Sequence, residues 1–181
     1  DSDSFFKFFD DFLTKLKEEV GISRSQASYT KYDVIRRRFA TFLKERFGRS
    51  DLRMGELSYK YISDFEHYCL TAIKLKQNTT MRIMRNLKTV ILRAQKMGLI
   101  KNDPFLNFRI RFEKTDRGFL SDEEIAKLMN HRFSVKRLEQ VRDIFVFSCF
   151  TGLAYIDLVQ LSKEHIVKID GREWIMKNRQ K

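Results

Sequence analysis

Between Glu66 and Asp103 the chain has no carboxylate and eight cations: Lys74, Lys76, Arg82, Arg85, Lys88, Arg93, Lys96 and Lys101. Residues of this type in this density do one kind of chemistry well, the binding of a polyanion. A helix that faces only water normally mixes both signs, because opposite charges at i and i+4 stabilise it and like charges repel. A run purged of acids accepts that repulsion, and a partner dense in negative charge relieves it. The whole chain agrees, with 36 Lys and Arg against 24 Asp and Glu and a net charge of +12. The composition therefore points to nucleic acid, with DNA and RNA both open on charge alone.

Other chemistries are poorly served. His67, His131 and His165 have no metal-ligand spacing to each other, to cysteine or to carboxylates, so no metal site is expected. Seven glycines build no GxGxxG, phosphate-loop or GxSxG motif. Cys69 and Cys149 lie in apolar helical surroundings without a CxxC, and read as reduced core thiols of a cytoplasmic protein. Neither a signal peptide nor a membrane-spanning run is present in the sequence. The first residue is Asp1 rather than Met, so the chain reads as a piece of something longer.

The elements that would position these cations are helices. With 43% apolar residues and 17 Phe, the chain has ample material for a core. Phe5, Phe8, Phe9, Phe12, Leu13, Leu16 and Val20 recur at helical spacing before Gly21. A second helix is expected from Gln26 to Phe47, burying Tyr32, Ile35, Phe39, Phe42 and Leu43. A third starts after the N-cap Ser58, with Leu57 and Ile62 as a hydrophobic staple. The fourth starts at an Asn78 cap, buries Met84, Leu87, Ile91 and Ala94, and ends near Gly98, ahead of the single proline, Pro104.

Residues 108–118 alternate apolar and basic positions and read as a basic linker carrying Arg109, Arg111, Lys114 and Arg117. A second unit opens with a capping box at Ser121–Glu124. Its helix from Val135 to Thr151 includes IFVFSCF, apolar on every side, which is expected to be buried in a domain larger than these residues make up. Strands at Ile166–Ile169 and Glu173–Lys177 flank an Asp170–Gly171 turn.

At Phe150–Leu161 the sequence FTGLAYIDLVQL resembles the TGL-type motif of the tyrosine recombinase, or phage integrase, family. The order of features around it is similar too: the Asn78–Thr79 pair, Gly98–Pro104, the FLSDEEI run at Phe119–Ile125, the motif, then a hairpin with an Asp-Gly turn. The integrases of bacterial mobile elements are the most similar type. The resemblance implies a mainly α chain. It would comprise a four-helix SAM-like core-binding domain (1–107), the linker (108–118) and the N-terminal part of an α+β catalytic domain (119–181) ending in a β-hairpin.

It also implies cleavage and rejoining of double-stranded DNA by a tyrosine through a 3′-phosphotyrosyl intermediate, with no cofactor and no metal. The partners would be duplex DNA and further copies in a tetramer, in the bacterial cytoplasm at the nucleoid and not at a membrane. Lys181 falls near the family's hairpin lysine and Asp157 at its supporting acid, while the first catalytic arginine falls at Ala154. No H-x-x-R segment and no credible nucleophilic tyrosine are present in these 181 residues, so this piece alone is expected to be inactive.

In the family the second and fourth helices face the major groove. That nominates Lys31, Arg37 and Arg38 on the second, Asn78, Thr79, Thr80, Arg82, Arg85 and Arg93 on the fourth, Lys74 and Lys76 before it, and Arg109 and Arg111 in the linker. The alternative is a DNA-binding accessory protein or regulator with a degenerate recombinase domain, for which Ala154 is the best argument.

Overall fold

The computed structural model describes residues 3–178. It divides into two units, Asp1–Thr115 and Asp116–Lys181. The first contains α1 (Phe5–Glu18), α2 (Gln26–Phe47), a 3-10 turn (Met54–Glu56), α3 (Tyr59–Thr71) and α4 (Gln77–Lys96).

Each helix begins and ends for local reasons. The Ser4 hydroxyl caps α1 by accepting from Lys7 N–H at 3.0 Å, and Ser25 caps α2 by accepting from Ser28 N–H at 3.3 Å. Gly48, at φ +63°, closes α2 in the left-handed conformation that a side chain resists. Ser58 stands at the N-cap of α3, yet its hydroxyl makes no capping bond. Leu57 and Ile62, both buried, set the entry angle there instead.

These helices close on an aromatic centre. Phe39 of α2 meets Phe65 of α3 edge-on at 4.9 Å and Phe5 of α1 at 5.5 Å, the geometry that ring quadrupoles favour. Polar ties fix the helices around it. Arg36 donates twice to Asp10 at 2.9 and 2.8 Å, joining α2 to α1, and Tyr68 donates to Glu45 at 2.7 Å, joining α3 to α2. Helix α4 contributes Met84, Leu87, Ile91 and Ala94, all fully buried as their spacing predicts.

The first unit continues past the expected boundary at residue 107. Phe105 and Phe108 are buried, and residues 109–115 run beside the first turn of α4. Residues 108–115 are thus part of the first unit rather than a free linker. Their apolar positions, Phe108 and Ile110, pack on the core.

In the second unit, α5 (Asp122–Asn130) carries the expected capping box. Ser121 accepts from Glu124 N–H, and the Glu124 carboxylate accepts from Ser121 N–H at 2.8 Å. It is followed by α6 (Lys136–Thr151), the five-residue α7 (Tyr155–Val159), a 3-10 turn (Lys163–His165) and the antiparallel pair β1 (Ile166–Ile169) and β2 (Arg172–Ile175). Ile166 pairs with Ile175 and Ile169 with Arg172 across a two-residue turn. Asp170 and Gly171 both have positive φ there, 51° and 76°, as a tight hairpin demands. β2 stops at Ile175 instead of reaching Lys177.

Within this unit the IFVFSCF stretch of α6 is left uncovered. Ile144, Phe145 and Phe150 are exposed, as is Cys149, which is therefore not a core thiol. A helix apolar all round needs neighbours on every side, and among the described residues α6 packs mainly on α5 and the short α7.

Candidate nucleic-acid interface

Helices α2 and α4 lie against each other and form a long seam. Near one end Arg38 of α2 stands with Thr79 and Arg82 of α4; near the other Arg24 and Ser28 stand with Arg93 and Lys96. The helices therefore run antiparallel, and Lys31 sits midway, lining both halves. On α4 the lining residues 82, 86, 89, 93 and 96 are spaced by four and three, which places them on one face. The stripe of Met84, Leu87, Ile91 and Ala94 turns that face outward by burying the other.

Six cations line the seam (Arg24, Lys31, Arg38, Arg82, Arg93 and Lys96) against one carboxylate, Glu19. Glu19 is already bonded to Arg24 at 3.3 Å. Aromatic side chains steady two of the cations: Lys31 lies 4.8 Å from the Tyr32 ring and Arg93 lies 5.4 Å from the Phe12 ring. The half containing these rings is a cleft of about 470 Å³. The other half, around Val34 and Ile83, has no acidic residue in its walls. An array of this kind holds a polyanion along its length.

The start of α4 adds to it. Its first turn contains no acid, its N-cap is Lys76, and Lys74 precedes it with φ +57°. The positive end of the helix dipole and these lysines share one sign. Lys76, Thr79, Arg82, Arg85 and Arg93 are exposed, as are Arg109 and Arg111 on the segment beside this turn.

Some of the residues nominated from sequence lie elsewhere or are engaged otherwise. Asn78 does not cap α4. Its Oδ1 accepts from Glu113 N–H at 2.8 Å, and its Nδ2 donates to Glu113 C=O at 3.0 Å and to the Thr115 hydroxyl at 3.3 Å. Thr80 is fully buried, so it cannot reach a ligand at the surface. Arg37 is bonded to Asp33 at 2.9 Å and does not line the seam. Arg85 stacks over Phe112 at 5.4 Å, tying α4 to the 109–115 segment. Arg24, Thr30 and Asn86 line the seam without having been nominated, and Lys96, one of the cations of the acid-free run, lines it too. The four-three spacing along α4 was the signal for Asn86.

In the second unit, Ala154 occupies the N-cap of α7 and Asp157 its third residue. Ala154 is exposed and Asp157 is buried. Lys181 and Arg179 lie outside the described residues. Nearby, His165 Nδ1 accepts from Ser162 N–H at 3.1 Å, and Lys177 donates to Gln160 C=O at 3.1 Å. His165 is thus a satisfied turn residue. Among the described residues, no helix is long and apolar enough to cross a membrane.

The family model for the phage integrase SAM-like domain matches residues 4–110. That span contains α1 to α4 and the whole α2–α4 seam. No curated protein and no solved structure matches the chain.

Proposed function

Because the chain belongs to the phage integrase SAM-like domain family, we propose that it is a DNA-binding fragment of a site-specific tyrosine recombinase of the mobile-element integrase type. The intact enzyme cuts and rejoins duplex DNA through a 3′-phosphotyrosyl intermediate and acts as a tetramer on DNA in the bacterial cytoplasm, at the nucleoid. The single observation that carries the reading is the α2–α4 seam, with six cations and one already paired acid. Phosphates spaced along a duplex match a line of cations along two helices. Lys74, Lys76 and Thr79 at the start of α4, and Arg109 and Arg111 beside it, extend the same contact.

On this reading residues 119–181 are the N-terminal part of the catalytic domain. Lys181 serves as the general acid that protonates the leaving oxygen, and Asp157 supports the site. The tyrosine, and the cations that stabilise the five-coordinate phosphate, come from beyond Lys181. Fixed cations placed where negative charge develops are the core of such catalysis.

The test is fluorescence anisotropy of labelled duplex DNA titrated with the full chain at rising salt. If about five phosphates are neutralised, log K falls with a slope near −4 to −5 against log salt. Binding that is absent, or indifferent to salt, refutes the proposal.

Ala154 favours a second reading, an accessory protein or regulator with a degenerate recombinase domain, since alanine cannot hold a phosphate. A suicide-substrate assay on the full-length parent separates the two. A covalent adduct that is lost in Arg179→Ala or Arg172→Ala, and partly restored by Ala154→Arg, identifies a recombinase with a substitute cation. No adduct from the unmutated parent on its own attachment site identifies the binding-only protein.

A further inference from the structure

The α2–α4 seam is chemically different at its two halves. Around Arg93 the walls are cations over aromatic rings. At the other half Ala27, Val34 and Ile83 give a hydrocarbon floor, and Lys31, Arg38 and Arg82 stand around it. Asn86 faces the same groove, and among the described residues its amide makes no hydrogen bond to the protein. A surface built only to clasp phosphates would put donors on this floor.

The hydrocarbon group that a duplex offers within its major groove is the thymine C5-methyl. A carboxamide matches the N6/N7 edge of adenine with two hydrogen bonds. We infer that this half of the seam reads A·T base pairs, seating thymine methyls against Ala27 and Val34 and the adenine edge on Asn86, while Lys31, Arg38 and Arg82 hold flanking phosphates. The inference rests on the duplex-DNA reading above and assigns base selectivity to one end of the seam.

The experiment uses the full chain to select duplexes from a random pool. The selected duplexes are remade with deoxyuridine for thymidine, which removes only the methyl group. Enrichment of A·T pairs is expected, with about fourfold weaker binding for each seated methyl removed. Val34→Ala should narrow the difference between the two forms, and Val34→Thr, close in shape, should keep more of it. If Val34→Ala fails to fold, Asn86→Ala replaces it. That variant should lose sensitivity to 7-deazaadenine, which lacks the N7 acceptor.

Equal binding of thymidine and deoxyuridine duplexes by the unmutated chain, with steep salt dependence intact, overturns the inference. The groove then holds the sugar–phosphate ridge, and the DNA-binding reading stands. Salt-sensitive binding to no duplex at all overturns both.

Discussion

Asn78 holds the backbone of Glu113 from both sides, accepting from its N–H at 2.8 Å and donating to its C=O at 3.0 Å. A side-chain amide paired with a main-chain amide in this way mimics one step of a β-ladder. It fixes the 109–115 segment against the first turn of α4, where Gln77 also donates to Arg111 C=O and Met81 Sδ accepts from Arg111 N–H, both at 3.4 Å. The start of the basic helix and the segment leading out of the first unit are therefore mechanically joined.

Asn78→Ala removes both of these bonds and the one to the Thr115 hydroxyl. Exposed as they are, each is worth about 0.5 kcal/mol, the low end of the usual range, so the variant should lose roughly 1–2 kcal/mol of stability in urea denaturation. Amide exchange at Glu113 should accelerate while exchange in the middle of α4 stays slow. Unchanged exchange at Glu113 would show that the segment is held without Asn78.

Arg82 and Arg37 make a matched pair for the interface. Both are exposed arginines, but Arg82 lines the seam and Arg37 is bonded to Asp33 away from it. Arg82→Ala should weaken duplex binding by about 1–3 kcal/mol and, if it meets a phosphate, lower the salt slope by about one. Arg37→Ala should change affinity by less than about 0.5 kcal/mol. Replacing Arg82 and Arg85 together should weaken binding at least as much as Arg82 alone. Equal losses at 37 and 82 would move the interface off the seam.

Alkali should weaken the first unit. Burial pushes the Cys69 thiol from an ordinary value of 9 up to about 12, and burial together with the bond to Glu45 pushes Tyr68 from 10 up to about 12. Both groups fold in their protonated form. Above pH 9 the unfolded chain loses these protons first, so the stability they supply is complete below about pH 9 and is lost as pH rises towards 12. Urea midpoints measured from pH 8 to 11 should fall, and less steeply in Cys69→Ala. An identical pH slope in that variant would remove Cys69 from the account.

Much of this was legible in the residues, and the misses have physical causes. Helix α2 could be read to its ends because Ser25 and Gly48 cap it and Ile35, Phe39, Phe42 and Leu43 keep period. The outward face of α4 was legible from its buried stripe. Its first turn was not, because Asn78 looks like a cap by type, whereas its partner, Glu113, lies thirty-five residues away. Thr80 was misassigned because a short hydroxyl in a helix's first turn suits a phosphate by type, whereas this one faces the core. Helix α6 shows the reverse case, as composition demands burial that its neighbours in this unit do not supply.

Where the first unit ends can be tested by truncation. Phe108 is 8% exposed and packs edge-on to Phe105 at 5.4 Å, Ile110 lies against the core, and Glu113 is held by Asn78. A piece comprising residues 1–115 keeps all of these contacts; one comprising 1–107 loses them. Burying a phenylalanine side chain is worth about 1.5–3 kcal/mol. In a domain of this size each kcal/mol moves the melting temperature by about 4–8 °C. The longer piece should therefore melt cooperatively, and the shorter one roughly 10 °C lower. Residues 116–181 should show no cooperative melt on their own, since Asp157 is the one buried side chain among the described residues there and Phe119, Phe145 and Phe150 are exposed. Equal melting of the two N-terminal pieces, read by circular dichroism, would return residues 108–115 to the status of a linker. A sharp transition in 116–181 would show that its exposed apolar helix needs no further cover.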